Sequence, residues 1–367
     1  MNQLDAAGVD AKMIQRCLEL AQQARGQTAP NPMVGAVVVQ DGKIVGEGFH
    51  PKAGEPHAEV FALRAAGDRT PGSTIYVNLE PCNHYGRTPP CSEALVRAKV
   101  ARVVVGMVDP NPQVAGSGIA RLREAGIEVT VGVEEAACQR LNEAFVHRIL
   151  YQQPFGILKY AMTLDGKIAA SSGHSAWVTT PDSRRRVHEL RAGCDAVVVG
   201  SNTVRRDNPQ LTSRGLGPNP LRVVLSRKLD LPDEANLWNT AEVPTLVFAQ
   251  EGANPTKWAT LEKQGVELIG VADVTPAIAH AHLYNRGCLS VLWECGGKLA
   301  ARAIADGCIQ KVLAFIAPKI IGGENAPSPV GELGFTQMTD ALPLERVRWE
   351  AIGSDLLIEG YLSTQKE

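Results

Sequence analysis

The segment His57-Ala58-Glu59 sets an imidazole two residues ahead of a carboxylate. Cys82 and Cys91, each preceded by a proline, follow beyond a short apolar run. One imidazole and two thiolates are three good zinc ligands. Three protein ligands leave a fourth position for water, as catalytic rather than structural zinc sites do. Zinc lowers the pKa of that water towards ~7. Hydroxide then becomes available to attack an amidine carbon, with Glu59 carrying the proton to a ring nitrogen and the leaving ammonia. The competing reading is a closed structural zinc with His84 as fourth ligand. It gives Glu59 no purpose, and hydrolysis is favoured.

Such side chains need a scaffold. A helix is predicted over 11–24, with Ile14, Cys17, Leu18 and Ala21 on one face. Val34 to Val39, Asp41-Gly42 and Ile44 to Gly48 read as strand, hairpin turn and strand. His57 opens an amphipathic helix, the strand Ile75 to Leu79 delivers Pro81-Cys82, and Pro90 suits the first turn of the helix carrying Cys91. Strands over 103–108 and 127–131, a helix near 120–125 and a final helix over 134–150 complete an alternating pattern. Alternation of this kind implies a three-layer α/β domain. Gln152-Gln153-Pro154 marks the boundary, giving expected domains at 1–150 and 151–367. The second half restarts the alternation with strands over 155–161, 196–199, 222–225, 245–249, 289–293 and 312–316. A terminal antiparallel pair is expected around 347–352 and 356–362. No internal repeat is found, and no Gly-x-Gly-x-x-Gly fingerprint follows a strand, so a standard dinucleotide fold is not supported.

The 367-residue length suits two domains, and 44% hydrophobic with 21% charged residues describes an ordinary globular protein. No run of about 18 apolar residues indicates a membrane span. The acidic start, Met1 to Asp10, lacks the pattern of a secretory signal. Eight cysteines in a chain of this length do not read as a disulfide framework, and a cytoplasmic location is expected. Beyond the two metal candidates, the other six read as small core or near-site thiols. A net charge of -2 without a dense basic block argues against nucleic-acid binding. Arg184-Arg185-Arg186 reads as a solvated helix face.

His-x-Glu followed by Pro-Cys and a second cysteine is the pattern of zinc nucleobase deaminases. The two cysteines there are usually two residues apart, whereas Asn83 to Pro90 intervene here. The run Leu79 to Cys91, with His84-Tyr85-Gly86-Arg87 inside it, closely resembles the deaminase domain of bifunctional riboflavin-biosynthesis deaminase/reductases. Leu164 to Ala169, Trp177-Val178-Thr179, Gly200 to Pro209 and Ala317 to Gly323 resemble the reductase domain of the same family. The resemblance implies a cytidine-deaminase-like domain followed by a dihydrofolate-reductase-like α/β domain, with zinc and NADPH as cofactors. The implied reactions are deamination of 2,5-diamino-6-(ribosylamino)-4(3H)-pyrimidinone 5′-phosphate and reduction of its ribosyl chain to ribityl. The implied partner is that small molecule, with no nucleic acid or membrane, and a homo-oligomer is expected.

For the first domain the resemblance implies substrate contacts at Asn31, His50, His84 and Arg87, the last suited to a ribose phosphate. For the second it implies substrate contacts at Lys159, Ser175, Arg191, Leu211, Arg214 and Glu294. Cofactor contacts are implied at Ala161, Trp177, Thr203, Asp207, Ser226, Arg227, Gly296 and Gly297. The residues give their own support to some of these. Lys159 falls in an apolar strand, where an unpaired ammonium is costly, so it either reaches an edge or faces a polar cleft. Gly200 to Val204 and Glu294 to Gly297 both follow apolar strands, and ligands gather at the carboxyl ends of such strands. A glycine pair there lets a pyrophosphate approach backbone N–H groups. Leu225-Ser226-Arg227 departs from the Asp-Ser or Asp-Thr of the family, yet a serine and an arginine at a strand end can grip a 2′-phosphate. Two rivals remain: a nucleic-acid-editing deaminase, disfavoured by charge, and a zinc-stabilised interaction protein, which would unfold rather than lose turnover on chelation.

Overall fold

Asp41 and Gly42 both have positive φ (51° and 74°), the geometry of a two-residue hairpin whose twist matches its strands. In the computed structural model, which describes residues 3–85 and 89–363, this hairpin begins a five-stranded sheet. The strands are β1 (Gly35–Gln40), β2 (Lys43–Phe49), β3 (Thr74–Leu79), β4 (Arg102–Met107) and β5 (Glu128–Val131), in the order β2-β1-β3-β4-β5. β1 is antiparallel to β2 and β3, while β3, β4 and β5 are parallel. It follows that β2, β3 and β4 all end at the sheet edge where β1 begins.

Helices cover both faces, and the two-residue period of a strand decides which side chain meets which helix. Ala36, Val38, Ile75, Val77, Val103 and Val105 pack against Ala62 of α2 (Ala58–Ala66), Leu95 of α3 (Cys91–Arg97) and Leu122 of α4 (Ser117–Glu124). The alternate residues Val37, Tyr76 and Val104 meet Ile14, Cys17 and Leu18 of α1 (Gln3–Gln22) and Cys138 of α5 (Glu135–Leu141). The result is the expected three-layer arrangement. α1 starts well before residue 11, and the single helix expected over 134–150 is two, α5 and α6 (Glu143–Tyr151). The break falls at Asn142, whose side chain accepts from the Met33 N–H at 2.8 Å and donates to the Met33 carbonyl at 3.0 Å.

The second compact unit begins at Gln153 and is built on nine strands. They are β6 (Phe155–Thr163), β7 (Ala196–Gly200), β8 (Leu221–Leu225), β9 (Thr245–Gln250), β10 (Glu267–Val271), β11 (Ser290–Trp293), β12 (Lys311–Ala317), β13 (Leu344–Ile352) and β14 (Asp355–Leu362). The order β10-β9-β8-β7-β11-β6-β12-β14-β13 is parallel as far as β12 and antiparallel over the last two. β10 was not expected: a charge and a glycine in a short outermost strand weaken its pattern. Val197, Val224, Val247 and Phe315 face α7 (Pro181–Ala192) through Val187 and Leu190. Val198, Val223, Leu246 and Trp293 face α10 (Pro276–Asn285) and α11 (Gly297–Ala305) through Ala279, Leu283, Ala300 and Ala303. Two further helices, α8 (Ser201–Asp207) and α9 (Pro255–Lys263), complete the alternation. Among the described residues no helix is long and apolar enough to cross a membrane.

Candidate functional site

The shared sheet edge of the first unit gathers the metal candidates. His57 caps α2, Cys82 lies three residues beyond β3, and Cys91 is the first residue of α3, with Pro90 as its cap rather than inside its first turn. His57 Nδ1 stands 3.5 Å from Cys82 Sγ and 3.3 Å from Cys91 Sγ, and all three donor atoms lie within 4.8 Å of one another. Tetrahedral zinc, with bonds near 2.3 Å to sulfur and 2.0–2.1 Å to nitrogen, needs donors roughly 3.5–3.8 Å apart. The set fits. The Cys91 backbone N–H donates to Cys82 Sγ at 3.3 Å, and the neighbouring Cys91 and His57 hold the Cys82 thiol well below its ordinary value, while Cys82 and burial push Cys91 up. His57 is raised, chiefly by its bond to Cys82. A dication held by these donors would leave both cysteines as thiolates.

Glu59 is buried at the start of α2, its carboxyl raised first by desolvation and then by Cys82. Asn31 Nδ2 lies 3.0 Å from His50 Nε2, and His50 Nδ1 lies 3.0 Å from the Pro56 carbonyl. An amide nitrogen only donates and a carbonyl only accepts, so His50 is the neutral Nδ1–H tautomer; desolvation lowers its pKa in the same sense. The His50 and His57 rings meet edge to face at 5.5 Å, so Asn31, His50 and the metal cluster share one site. His84 is exposed, close enough to Asp109 to act on its charge, and outside the cluster of three metal-competent donors. Arg87 lies outside the described residues.

Two acidic groups at this edge escaped the sequence reading. Glu80 accepts from the N–H groups of Asp109 (3.1 Å), Gly116 (2.9 Å), Gly118 (2.9 Å) and Ile119 (3.2 Å), tying the turn before Cys82 to the start of α4. Gly118 is obligatory there, because a Cβ would stand 2.0 Å from the Pro81 carbonyl. Asp109, just past β4, is raised by burial, and its place after a core strand was the available signal.

In the second unit the parallel strands β6, β7, β8 and β11 bring their carboxyl ends together. Glu294 follows β11, and Trp293 pairs with Leu158, so Glu294 reaches Lys159 at 3.5 Å. Arg191 of α7 makes a two-pronged bond to Glu294, Nε to Oε1 at 2.6 Å and Nη2 to Oε2 at 3.0 Å. Burial would raise the Glu294 carboxyl, but the two cations hold it at about 2. Lys159 therefore faces a polar partner, and Arg191 is half of an ion pair rather than a surface residue. His188, one helical turn before Arg191, was missed. Its Nδ1 lies 3.3 Å from Arg191 Nη1, and burial and the charges of Arg191 and Arg214 lower its pKa.

The remaining candidates lie in β6, in α8, at the start of α11 and in the loops that follow β6, α8, β8 and β11. Ser175 Oγ donates to Asp207 at 3.4 Å, and Asp207, at the end of α8, is raised by burial. Thr203 lies in α8, Ala161 in β6, and Trp177 is exposed beneath the Arg184 guanidinium at 4.6 Å. Ser226 is buried just past β8, and Arg227 is exposed with only a 4.0 Å approach to Asp273. The Leu211 side chain belongs to the core, so it can offer a ligand only its backbone, whereas Arg214 is exposed. The two glycines separate: a Cβ on Gly296 would meet open space, but on Gly297 it would strike the Ser328 carbonyl at 2.7 Å. Gly297 is small because the 328–331 segment lies against it.

Comparison with known proteins adds a family. Residues 8–107 match the cytidine and deoxycytidylate deaminase zinc-binding region, and residues 154–358 match the RibD C-terminal domain. The chain is 62% identical over 354 residues to the riboflavin biosynthesis protein RibD of Synechocystis, covering 96% of each. It is 41% identical to RibD of Aquifex aeolicus, covering 95% of this chain and 98% of that one. A Thermotoga maritima diaminohydroxyphosphoribosylaminopyrimidine deaminase/5-amino-6-(5-phosphoribosylamino)uracil reductase superposes with a TM-score of 0.87 at 37% identity. That match covers 98% of this chain and all of the other. An Acinetobacter baumannii RibD gives 0.86 at 36%, with the same coverage.

Proposed function

The chain belongs to the RibD family of bifunctional riboflavin-biosynthesis enzymes, and from that premise we propose how its residues divide the work. It is a zinc-dependent hydrolytic deaminase and an NADPH-dependent reductase in one chain. The first reaction removes the 2-amino group of 2,5-diamino-6-(5-phosphoribosylamino)pyrimidin-4(3H)-one; the second reduces the ribosyl chain to ribityl. His57, Cys82 and Cys91 would hold zinc, which when bound supplies the Lewis acidity that makes water nucleophilic near neutral pH. Glu59 takes the water proton and delivers it to the ring nitrogen and the departing ammonia. Asn31, fixed by His50, hydrogen-bonds the pyrimidine edge, while His84 and Arg87 take the ribose phosphate.

In the second unit Lys159 protonates the ribose oxygen as the ring opens, and Glu294 orients the sugar hydroxyls. Arg191 keeps Glu294 ionised. NADPH, when bound, would supply the hydride that reduces C1 of the opened ribose. Ser175, Leu211 and Arg214 line the substrate side. Ala161, Trp177, Thr203, Asp207, Ser226 and Arg227 line the cofactor side, with Gly296 and Gly297 at its pyrophosphate. Domains of 1–150 and 151–367, a homo-oligomer and a cytoplasmic location belong to the same proposal. Exposed Val347 and Trp349 on the outermost strand β13 support self-association, and eight free cysteines suit a reducing compartment. The observation that carries the proposal is the convergence of one histidine and two cysteines beside a buried glutamate. The test supplies the diaminopyrimidine phosphate with and without NADPH. Ammonia should appear in both cases and NADPH oxidation should follow it; ammonia release that requires NADPH would overturn the order.

A further inference from the structure

Arg222 is 1% exposed within β8, and its guanidinium is held by backbone carbonyls rather than by a carboxylate. The acceptors are Gln210 (3.5 Å), Asn236 (3.3 Å), Leu237 (2.9 Å), Asn239 (3.0 Å) and Val243. Burying a cation this deeply is expensive, and burial does lower its pKa. The carbonyls come from two places, residue 210 and the run 236–243. The second run grips the first: Asn236 donates its N–H to Asn208 Oδ1 at 2.8 Å and its side-chain amide to the Asn208 carbonyl at 2.7 Å. Arg222 thus holds the segment 208–214 directly at Gln210 and through Asn236 at its beginning.

That segment is unusual in its backbone. Asn208, Leu211 and Arg214 have φ of 39°, 55° and 55° without being glycine. Left-handed conformations at non-glycine residues persist only where the surroundings over-determine them, and they gather at functional sites. Thr212 and Ser213 between them are also tied, to Arg191 and Asn219. We propose that Arg222 is a positioning residue of the reductase. By solvating the carbonyls of 210 and 236–243, it keeps 208–214 in the left-handed turns that set Arg214 and the Leu211 backbone against the pyrimidine phosphate. The inference rests on the reading that Leu211 and Arg214 meet that substrate.

The full-length enzyme tests it with Arg222→Lys, Asn236→Ala and Arg214→Ala. Asn236 is exposed, so its truncation leaves the core intact and decides the question even if Arg222→Lys does not fold. Loosening a positioning segment can cost about 10- to 100-fold. That loss should appear in KM for the deaminated pyrimidine phosphate, with kcat at saturation little changed and ammonia release intact. The Arg222→Lys/Asn236→Ala double variant should lose less than the product of the two singles, because Arg222 reaches the segment partly through Asn236. A lowered Tm with unchanged KM in Asn236→Ala and Arg222→Lys makes Arg222 purely structural and overturns the proposal. Arg214→Ala separates the two possible failures. If it raises KM while Asn236→Ala does not, only this inference falls; if it leaves KM unchanged, the substrate reading falls and takes the inference with it.

Discussion

Replacing Glu294 by glutamine and Lys159 by methionine should have different effects on stability and the same effect on reduction. The Glu294 side chain is 9% exposed and is bound by Arg191 at 2.6 and 3.0 Å and by Lys159 at 3.5 Å. Its folded pKa of about 2 compares with about 4.3 unfolded. A depressed carboxylate contributes stability that is present above its unfolded pKa and is lost as pH falls through the folded one. At pH 7 the shift is worth about 3 kcal/mol, in line with roughly 3–5 kcal/mol for breaking a buried ion pair. Glu294→Gln removes that and leaves two buried cations facing each other.

Lys159 has the opposite sign. Burial first, then Arg191, lower its pKa against the pull of Glu294, so folding disfavours its charge at pH 7. Lys159→Met, of similar length, should leave stability unchanged or raise it, as often happens when a strained site residue is removed. Calorimetry on the full chain reads both, with the second unit's transition identified by its upward shift with NADP. A loss of about 3 kcal/mol amounts to roughly 6–12 °C for a unit of this size. NADPH oxidation should vanish in both variants while ammonia release continues. A Lys159→Met melt lowered as far as that of Glu294→Gln would refute the charge argument, and so would an unshifted Glu294→Gln.

Three further outcomes are expected. Glu59→Gln should retain stoichiometric zinc by elemental analysis yet lose ammonia release by at least roughly 10²–10⁴-fold; near-normal release would remove its role. His147 is buried and desolvation lowers its pKa to about 4, so the unfolded chain binds the extra proton below about 6.5 and stability falls as pH drops from there towards 4. Urea unfolding of the first unit at pH 5 should show about 2 kcal/mol less stability from this group than at pH 7, and His147→Gln should flatten the difference; equal slopes would sink the assignment. Arg227→Ala should raise KM for NADPH far more than for NADH, because Arg227 is exposed and only loosely held by Asp273; equal losses would place the 2′-phosphate elsewhere.

What could be read in advance was what depends on neighbours in sequence. Asp41-Gly42 announces its hairpin, runs of adjacent valines announce strands buried on both faces, and His57 with Glu59 needs only two residues to suggest the proposed chemistry. Lys159 and Glu294 were conspicuous because charge inside or just after an apolar strand is costly. What stayed hidden depends on partners far along the chain. Asn142 splits a helix because it binds Met33, 109 residues earlier. Arg222 could be taken for a strand residue reaching an edge until its five carbonyls, spread over residues 210–243, are seen together. Gly297 follows a strand just as a phosphate-binding glycine would, yet its missing side chain makes room for the 328–331 segment.

Glu59 and Glu80 show the same limit within one site. Both are buried glutamates close in sequence to a metal-ligand candidate, and residue type alone offers no way to rank them as proton carriers. Hydrogen bonding separates them. Both oxygens of Glu80 are occupied by four backbone N–H groups of 109–119, leaving no lone pair to spare for a travelling proton and making it an anchor for the turn that delivers Cys82. Glu59 instead sits in the first turn of α2 beside the thiol of Cys91, where a carboxylate can receive a proton and hand it on. Burial suits a carboxylate to proton transfer only when its oxygens can exchange partners, and the fourfold backbone hold on Glu80 supports the proposal that Glu59 carries the proton instead.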